Sequence, residues 1–400
     1  MKKILTLFFI MSCACTVYGQ QTVDYILKAR ALTEAGKPEQ AIDLLSVAIS
    51  GTKESRLYTE RAEANILKGD YSRALSDFNE ANKITPFSGE YGLSRIYALK
   101  GDAATALYHL EINLNSPYKK VEKEIMLDPA FGIIENRQEW RQFWKKEWYS
   151  IAEKSISEIE YYISAGKIDE SKTVLAELKK SYKGSDDILY AEALISLSSA
   201  NYSEAIKVIT GLSALNPGDE KYLRILARAQ TAVSDPVGAS TTYSQLVNSG
   251  VADAELLILR ADCYRKTGEN EKALKDIEKY IEIYPENKSA LSLAGKVEAI
   301  SGDNLKALEF FSKNLKLHPN DPECYIDRAN SYFVSKTWDM AISDYSMALD
   351  LRPENSDVWL NKGISLLNSG KVKDACHDFR RSFGLGNKRV TDYIGRNCIK

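Results

Sequence analysis

Between Pro322 and Pro353 apolar residues recur at helical spacing in two short stripes. Tyr325, Ala329 and Tyr332 fall at i, i+4 and i+7. After a break, Ala341, Tyr345 and Ala348 repeat that spacing, and Pro353 follows. Each stripe predicts one helix with a single apolar face. The small Ala329 and Ala341 stand where two such helices would approach most closely, and proline ends the second helix. The stretch reads as a helical hairpin packed through Ala329 and Ala341.

The pattern recurs in fixed phase. Ala205, Ala239, Ala273, Ala307, Ala341 and Ala375 are each 34 residues apart, and prolines follow twelve residues later at Pro217, Pro285, Pro319 and Pro353. The partner small position holds Ala193, Ala227, Ala261, Gly295, Ala329 and Gly363. Leu189, Leu223, Leu257, Leu291, Tyr325 and Trp359 share one further core position on the first helix. A hairpin of this period with these small residues resembles the tetratricopeptide-repeat family over most of the chain. The resemblance implies an all-α fold, an α-solenoid in which the hairpins form a right-handed superhelix. Each unit then buries its face only against its neighbours, so 400 residues need not divide into ordinary globular domains.

Three units precede the clear run. Tyr25, Ala29, Ala41, Leu45 and Ala48 mark the first; Tyr58, Ala62, Ala74, Phe78, Ala81 and Pro86 the second; Ser94, Tyr97, Ala106 and Leu110 a weaker third. Gly36, Gly69 and Gly101 sit in their inner turns, where glycine accepts the left-handed conformation that stops a helix. From Ser116 to about Ser150 the phase is lost. Pro117 and Asp128-Pro129 are breakers, with Asp128 reading as a cap. Trp140, Trp144 and Trp148 fall at i, i+4 and i+8, so one helix face is expected to carry three tryptophans, with Phe143 beside them and Arg137, Arg141, Lys145 and Lys146 on the other sides. Two readings stand for this stretch: a plug between two arrays, or a partner-binding face, since tryptophan and arginine are enriched at binding hot spots. A degenerate unit with Ser171 restores the phase, which argues for one continuous superhelix from Ile151 onward. After Gly384-Leu385-Gly386, the residues Val390, Tyr393 and Ile394 predict a short amphipathic cap over 388–397. The expected organisation is therefore a leader at 1–19, an array of three repeats at 20–115, a tryptophan-rich helical connector at 116–150, an array of about seven repeats at 151–387, and a capping helix at 388–400.

The leader is read from Lys2 and Lys3, the almost wholly apolar run from Ile4 to Val17, and Val17-Tyr18-Gly19 as a signal-peptidase site. The run is too short and wrongly flanked to span a membrane. Ile10-Met11-Ser12-Cys13 offers a competing reading as a lipobox, with Cys13 lipidated and kept. The Lys-Lys start and Gly-Gln-Gln junction resemble exported proteins of Gram-negative bacteria of the Bacteroidetes type. That resemblance implies the periplasm, or the outer membrane for the lipidated form. Cleavage removes two lysines and takes the net charge from −2 to about −4.

A charge so near zero gives no pull toward nucleic acid or anionic membrane. The 23 tyrosines against 3 histidines favour binding surfaces over acid–base chemistry. His109, His318 and His377 lie in separate units. No zinc spacing, phosphate loop, nucleophile elbow or HExxH motif occurs, and the carboxylates read as solvated faces. No enzyme activity, cofactor or metal is expected. Cys376 and Cys398 lie about eight residues before and eleven after the Gly384–Asn387 turn, which makes a bridge between them geometrically possible. Cys263 and Cys324 belong to units too far apart to touch and read as small apolar residues.

The family resemblance implies that the first helices line a concave groove holding an extended peptide or a partner helix. The groove positions include Tyr190, Lys221, Arg224, Arg228, Asp262, Arg265, Lys266, Asn330 and Phe333. Lys221, Arg224 and Arg228, with Arg265 and Lys266, read either as a basic zone for an acidic segment or as surface charges partly paired with Glu255 and Asp262. Some family members clamp a chaperone's terminal carboxylate with Lys, Asn and Arg; here Ile258, Asp262, Leu293, Glu323 and Asp327 occupy those positions, so chaperone docking is not implied. The expected function is a non-enzymatic periplasmic scaffold for protein partners at an envelope complex. The alternatives are a lipid-anchored accessory subunit of an outer-membrane assembly or secretion machine, and a glycan- or peptide-binding solenoid using Tyr190 and Phe333. Neither nucleic acid nor a small-molecule ligand is expected.

Overall fold

The computed structural model describes residues 21–182 and 184–398. The expected leader, its cleavage site and Cys13 lie outside them. The described residues form ten helical hairpins, a connector and a cap. Helical residues 21–34 (α1) pair with α2 (Pro38–Gly51), α3 (Ser55–Lys68) with α4 (Tyr71–Ile84), and α5 (Glu90–Leu99) with α6 (Ala103–Leu114). The connector holds α7 (Glu122–Leu127), a 3-10 turn (Pro129–Ile133) and α8 (Gln138–Phe143). Hairpins then resume with α9 (Ile151–Ser164) and α10 (Ile168–Ser181), α11 (Asp186–Ser198) and α12 (Tyr202–Leu215), and α13 (Glu220–Ala232) and α14 (Pro236–Asn248). Next come α15 (Glu255–Lys266) and α16 (Asn270–Ile283), α17 (Lys288–Ser301) and α18 (Asn304–Leu317), α19 (Pro322–Val334) and α20 (Trp338–Leu351), and α21 (Ser356–Asn368) and α22 (Val372–Gly384). A 3-10 turn (Lys388–Val390) and α23 (Thr391–Asn397) finish the described chain.

Local chemistry sets the hairpin turn. The first helix stops on a left-handed residue, and an aspartate often caps the second. Gly69 has φ 82°, and the next residue, Asp70, accepts from Arg73 N at 3.0 Å. Gly302 and Asp303 repeat this, with φ 90° and a 3.1 Å bond from Lys306 N. The left-handed position keeps the period: Gly166, Ala200, Ser234, Gly268, Gly302, Lys336 and Gly370 all have φ between 58° and 90°. Three of these seven are not glycine.

Packing follows the small residues. The alanines at both small positions, Ala193 to Ala329 and Ala205 to Ala375, are 0% exposed. Where glycine replaces alanine, a phenylalanine takes the space. A Cβ on Gly295 would lie 2.4 Å from the Phe311 ring, and one on Gly363 would lie 2.6 Å from Phe379.

The chain divides into two compact units between Leu256 and Leu257. The sequence shows no loss of phase there; it expected the joint at 116–150, which lies inside the first unit. Contacts between the unit's own ends account for its extent. Arg30 Nη1 on α1 donates to Ala252 O at 2.8 Å, and Ala252 packs against the cluster of Ile26, Ala29 and Leu45.

Within that unit the connector takes the place of a hairpin over α6. Ile125, Phe131, Ile134, Trp140, Phe143 and Tyr149 pack with Ala106, Leu107, Leu110 and Leu114. The expected single tryptophan-bearing helix does not form. The helix α8 ends at Phe143, so Trp144 caps it and Trp148 lies beyond it. Trp148 folds back, its Nε1 donating to Phe143 O at 2.9 Å and its ring stacking on Phe143 at 4.6 Å. The indole thus satisfies a helix-end carbonyl that has no partner within the helix.

In the second unit the cap is a 3-10 turn leading into a short helix. Val390 is fully buried, Tyr393 stacks on Phe379 at 5.1 Å, and a Cys376–Cys398 disulfide with Cα atoms 5.5 Å apart ties α22 to the end of α23. Cys263 and Cys324 are both buried. No helix among the described residues is long and apolar enough to cross a membrane.

Candidate partner-binding surfaces

In the first unit the predicted groove residues of α11 and α13 come together, but in three different states. Tyr190 is 9% exposed; its hydroxyl donates to Glu160 Oε1 at 3.1 Å, and its ring lies 6.0 Å from Tyr222. Burial, with Glu160 adding to it, pushes the phenol well above its usual range. Tyr190 is a wall residue beneath the surface, which removes it as an exposed stacking platform. Arg224 is committed: Nε donates to Glu220 at 2.8 Å and Nη2 to Asp253 at 2.8 Å. Burial alone would lower its pKa, but these two carboxylates outweigh it and raise it. Lys221 and Arg228 are exposed, and among the described residues no carboxylate pairs with either. Lys221 Nζ lies over the rings of Tyr190 and Tyr222, 5.1 and 5.0 Å from their centroids.

The second unit shows that the other half of the expected basic zone is neutralised within one helix. Asp262 accepts from Arg265 Nη2 at 2.7 Å and pairs with Lys266 Nζ at 2.8 Å. Burial favours the protonated carboxyl, yet these two cations hold Asp262 below the usual carboxylate range. Asn330 is exposed, and its Oδ1 accepts from Tyr345 Oη at 2.7 Å. Phe333 is half-buried, 5.5 Å from Trp338.

A cleft of about 440 Å³ opens in this unit between α15, α17 and α19. Apart from Asn314 on α18, its lining comes from first helices and includes Ile258, Asp262, Lys288, Leu293, Lys296, Glu323, Cys324 and Asp327. Asp327 pairs with Lys296 at 3.0 Å and accepts from Ser292 Oγ. Glu323 accepts from Arg352 at 2.6 Å, and Lys288 pairs with Asp321. Burial, reinforced by Asp321 and Asp327, pushes the Cys324 thiol up to about 11, so it stays protonated.

A second cavity, of about 850 Å³, lies in the first unit among α3, α5 and the connector. Arg95 spans it, bonded to both oxygens of Glu63 at 2.6 Å and paired with Asp128 at 2.8 Å. Tyr91 Oη also donates to Asp128, at 2.8 Å. Asp128 caps the following turn as expected, accepting from Ala130 N at 2.9 Å. The tryptophans do not form an open face: Trp140 is 7% exposed, and Trp144 and Trp148 pack half-buried against the same core.

One recurring feature escaped the sequence reading. Arg61–Asp77, Arg260–Asp276 and Arg328–Asp344 are two-pronged pairs across the two helices of a hairpin, with bonds of 2.7–3.0 Å. These aspartates are 5% exposed, so they are not the solvated faces they were taken for. The signal was present: arginine directly before the first small residue, and aspartate three after the second. Among the described residues no group of three His, Cys, Asp or Glu is placed to hold a metal ion.

The tetratricopeptide-repeat family model matches residues 254–287, which contain the α15–α16 hairpin with Ala261 and Ala273 buried at its crossing. The chain carries the tetratricopeptide repeat there. The C-terminal part of a TPR repeat-containing protein from Cytophaga hutchinsonii is similar at 17% identity, over 59% of this chain and 98% of that one, with a TM-score of 0.50. A tetratricopeptide repeat protein from Parabacteroides merdae shows 17% identity over 61% of this chain and 98% of its own, with a TM-score of 0.47. YrrB, described as a TPR protein with an unusual peptide-binding site, shows 16% identity over 48% and 100%, with a TM-score of 0.39. At these identities the likeness concerns the fold. A comparison with curated protein sequences finds no match.

Proposed function

We propose that this protein is a non-enzymatic scaffold that holds protein partners on the first-helix face of its hairpins. The observation that carries the reading is the α13 face. Lys221 and Arg228 stand exposed there with no carboxylate partner among the described residues, while Arg224 beside them is paired twice. Unneutralised cations on an otherwise paired wall suit an acidic partner segment. Export to the periplasm, within or alongside an envelope complex, is part of the proposal. The Lys2-Lys3 start and apolar run support it, and the Cys376–Cys398 disulfide suits an oxidising compartment. Cys13 in its lipobox supports a second form of the reading, a lipid-anchored accessory subunit.

The test is capture of partners by the tagged mature protein from its own envelope fraction, run beside Lys221→Glu/Arg228→Glu. Arg224 is left native because its loss would strand Glu220 and Asp253. Recovery of a defined envelope protein that the double variant loses is the expected result. A partner retained by the variant would remove the α13 face, and no protein partner under any condition would overturn the scaffold reading. Mass spectrometry of the mature N-terminus separates Gln20 from lipidated Cys13.

A further inference from the structure

Resting on the scaffold reading, we infer that the acidic partner segment on α13 also enters the cavity between α13 and α3, where Arg56 takes one of its carboxylates. This cavity, of about 670 Å³, lies where the two ends of the first unit meet. Arg30 on α1 and Arg56 on α3 line it from one end; Glu220, Arg224 and the turn at 249–253 line it from the other. Its chemistry is arginine against carboxylate. Arg30 donates to Glu60 through Nε at 3.0 Å and through Nη2 as well. Arg224 holds Glu220 and Asp253, each at 2.8 Å. Arg56 is exposed, and among the described residues no carboxylate pairs with it. Glu220 and Asp253, which line the same cavity, are both engaged by Arg224.

The Arg56 guanidinium rests against the turn. Its Nη1 lies 3.5 Å from where a Cβ on Gly250 would stand, and Gly250 has φ 83°, so the turn offers it bare backbone. A guanidinium fork set at a cavity wall without its carboxylate is prepared for one from outside. Continuity with the α13 face decides the occupant. Lys221, Arg224 and Arg228 fall at i, i+3 and i+7 on one face of that helix, and Arg224 is the member that lines the cavity. A segment lying along Lys221 and Arg228 therefore has the cavity, and Arg56 within it, beside its path. Five cations meet here, Arg30, Arg56, Lys221, Arg224 and Arg228, against three carboxylates, Glu60, Glu220 and Asp253, so two positive charges are left over. A segment with two or more acidic residues matches that excess, and a neutral or basic one does not. The site is built by opposite ends of the unit, so the bound segment bridges α3 to α13.

The probe is the peptide acetyl-Gly-Ser-Asp-Glu-Asp-Glu-Ser-Gly-amide, titrated into the mature full chain by isothermal calorimetry at low ionic strength, beside its Asn-Gln-Asn-Gln counterpart. The acidic peptide is expected to bind and the amide peptide to fail. Arg56→Ala should weaken binding about tenfold, the size of a charge-assisted hydrogen bond. Lys145, exposed on the connector and outside the cavity lining, supplies the control. Lys145→Ala removes the same charge and should leave the affinity within twofold. Both side chains are exposed, so circular dichroism should stay native in each variant. Equal weakening by the two variants would reduce the effect to net charge and overturn the inference. Acidic binding that Arg56→Ala leaves unchanged, or equal binding of the two peptides, would overturn it too. If the acidic peptide fails while an envelope partner is still captured through Lys221 and Arg228, or if Arg56→Ala keeps that partner, this inference falls alone. If neither peptide nor envelope partner binds, the scaffold reading falls with it.

Discussion

The hairpin α19–α20 and the connector between α6 and α9 meet the same requirement, to cover apolar helix surface, by opposite means. The hairpin uses small residues in register. Ala329, Ala341 and Ala348 are at most 1% exposed, with Tyr345 fully buried between them. The connector uses bulk. Phe131, Trp140 and Phe143 fill its core, and Trp144 and Trp148 close the edge. Small residues fix the distance between two helices, so a unit built on them can be repeated. Large aromatics fill whatever volume is left, so they serve at a joint and specify no repeat.

The comparison can be broken most strongly at the small residues. Ala329→Arg forces a long cation into a fully buried crossing and should destabilise the protein by about 3 kcal/mol or more. Thermal and denaturant unfolding would show it, and an unchanged melting temperature would contradict the assigned packing. Trp140→Ala should cost about 3 kcal/mol through the cavity it leaves. Trp148→Ala, at the half-buried edge, should cost clearly less; equal losses would mean that the connector has no centre. A smaller and opposite effect is expected at the hairpin turns. Ala200 sits at φ 59°, a conformation that glycine adopts without strain. Ala200→Gly should therefore gain about 0.5 kcal/mol, and a loss would contradict the left-handed assignment.

The smallest expected effect is electrostatic. Asp262 is held below the usual carboxylate range by Lys266 and Arg265, against the effect of its burial. A depressed folded pKa means that the pairing stabilises above the unfolded pKa and is lost as pH falls through the folded one. Asp262→Asn should lower the melting temperature slightly at pH 7, in keeping with about 0.3 kcal/mol for a half-exposed pair within one helix, and lower it less near pH 2. An equal drop at both values would assign the loss to packing instead.

Much of the fold was legible because its determinants are local. The 34-residue period carried the hairpins, their buried alanines, the left-handed turns and the end cap with Cys376 near Cys398. The sequence misjudged the tryptophans because spacing alone cannot show where a helix stops. At Phe143 the chain turns, and the Trp148 indole takes the carbonyl that a longer helix would have used. The candidate surfaces were less legible. Tyr190 and Arg224 stand at groove positions, but the groups that occupy them, Glu160 and Asp253, belong to neighbouring hairpins about 30 residues away. The buried Arg–Asp pairs were readable in principle, since both partners keep phase with the small residues.

The sequence by itself determined the repeating unit. Helical spacing, small residues at a close crossing and a turn that accepts left-handed backbone all act within one hairpin. Only the tertiary structure decided the charge pairings between hairpins. Arg265 and Lys266 meet Asp262 within their own helix, at a spacing the sequence already shows, but Arg224 also reaches Asp253, 29 residues away, while Lys221 and Arg228 beside it stay exposed. It also decided that α1 would meet the turn at Ala252, 222 residues from Arg30. The physical reason is range. Helix formation and hairpin packing are settled between near neighbours in the chain, whereas the pairing of a surface charge depends on which distant side chain the stacked hairpins bring within about 3 Å of it.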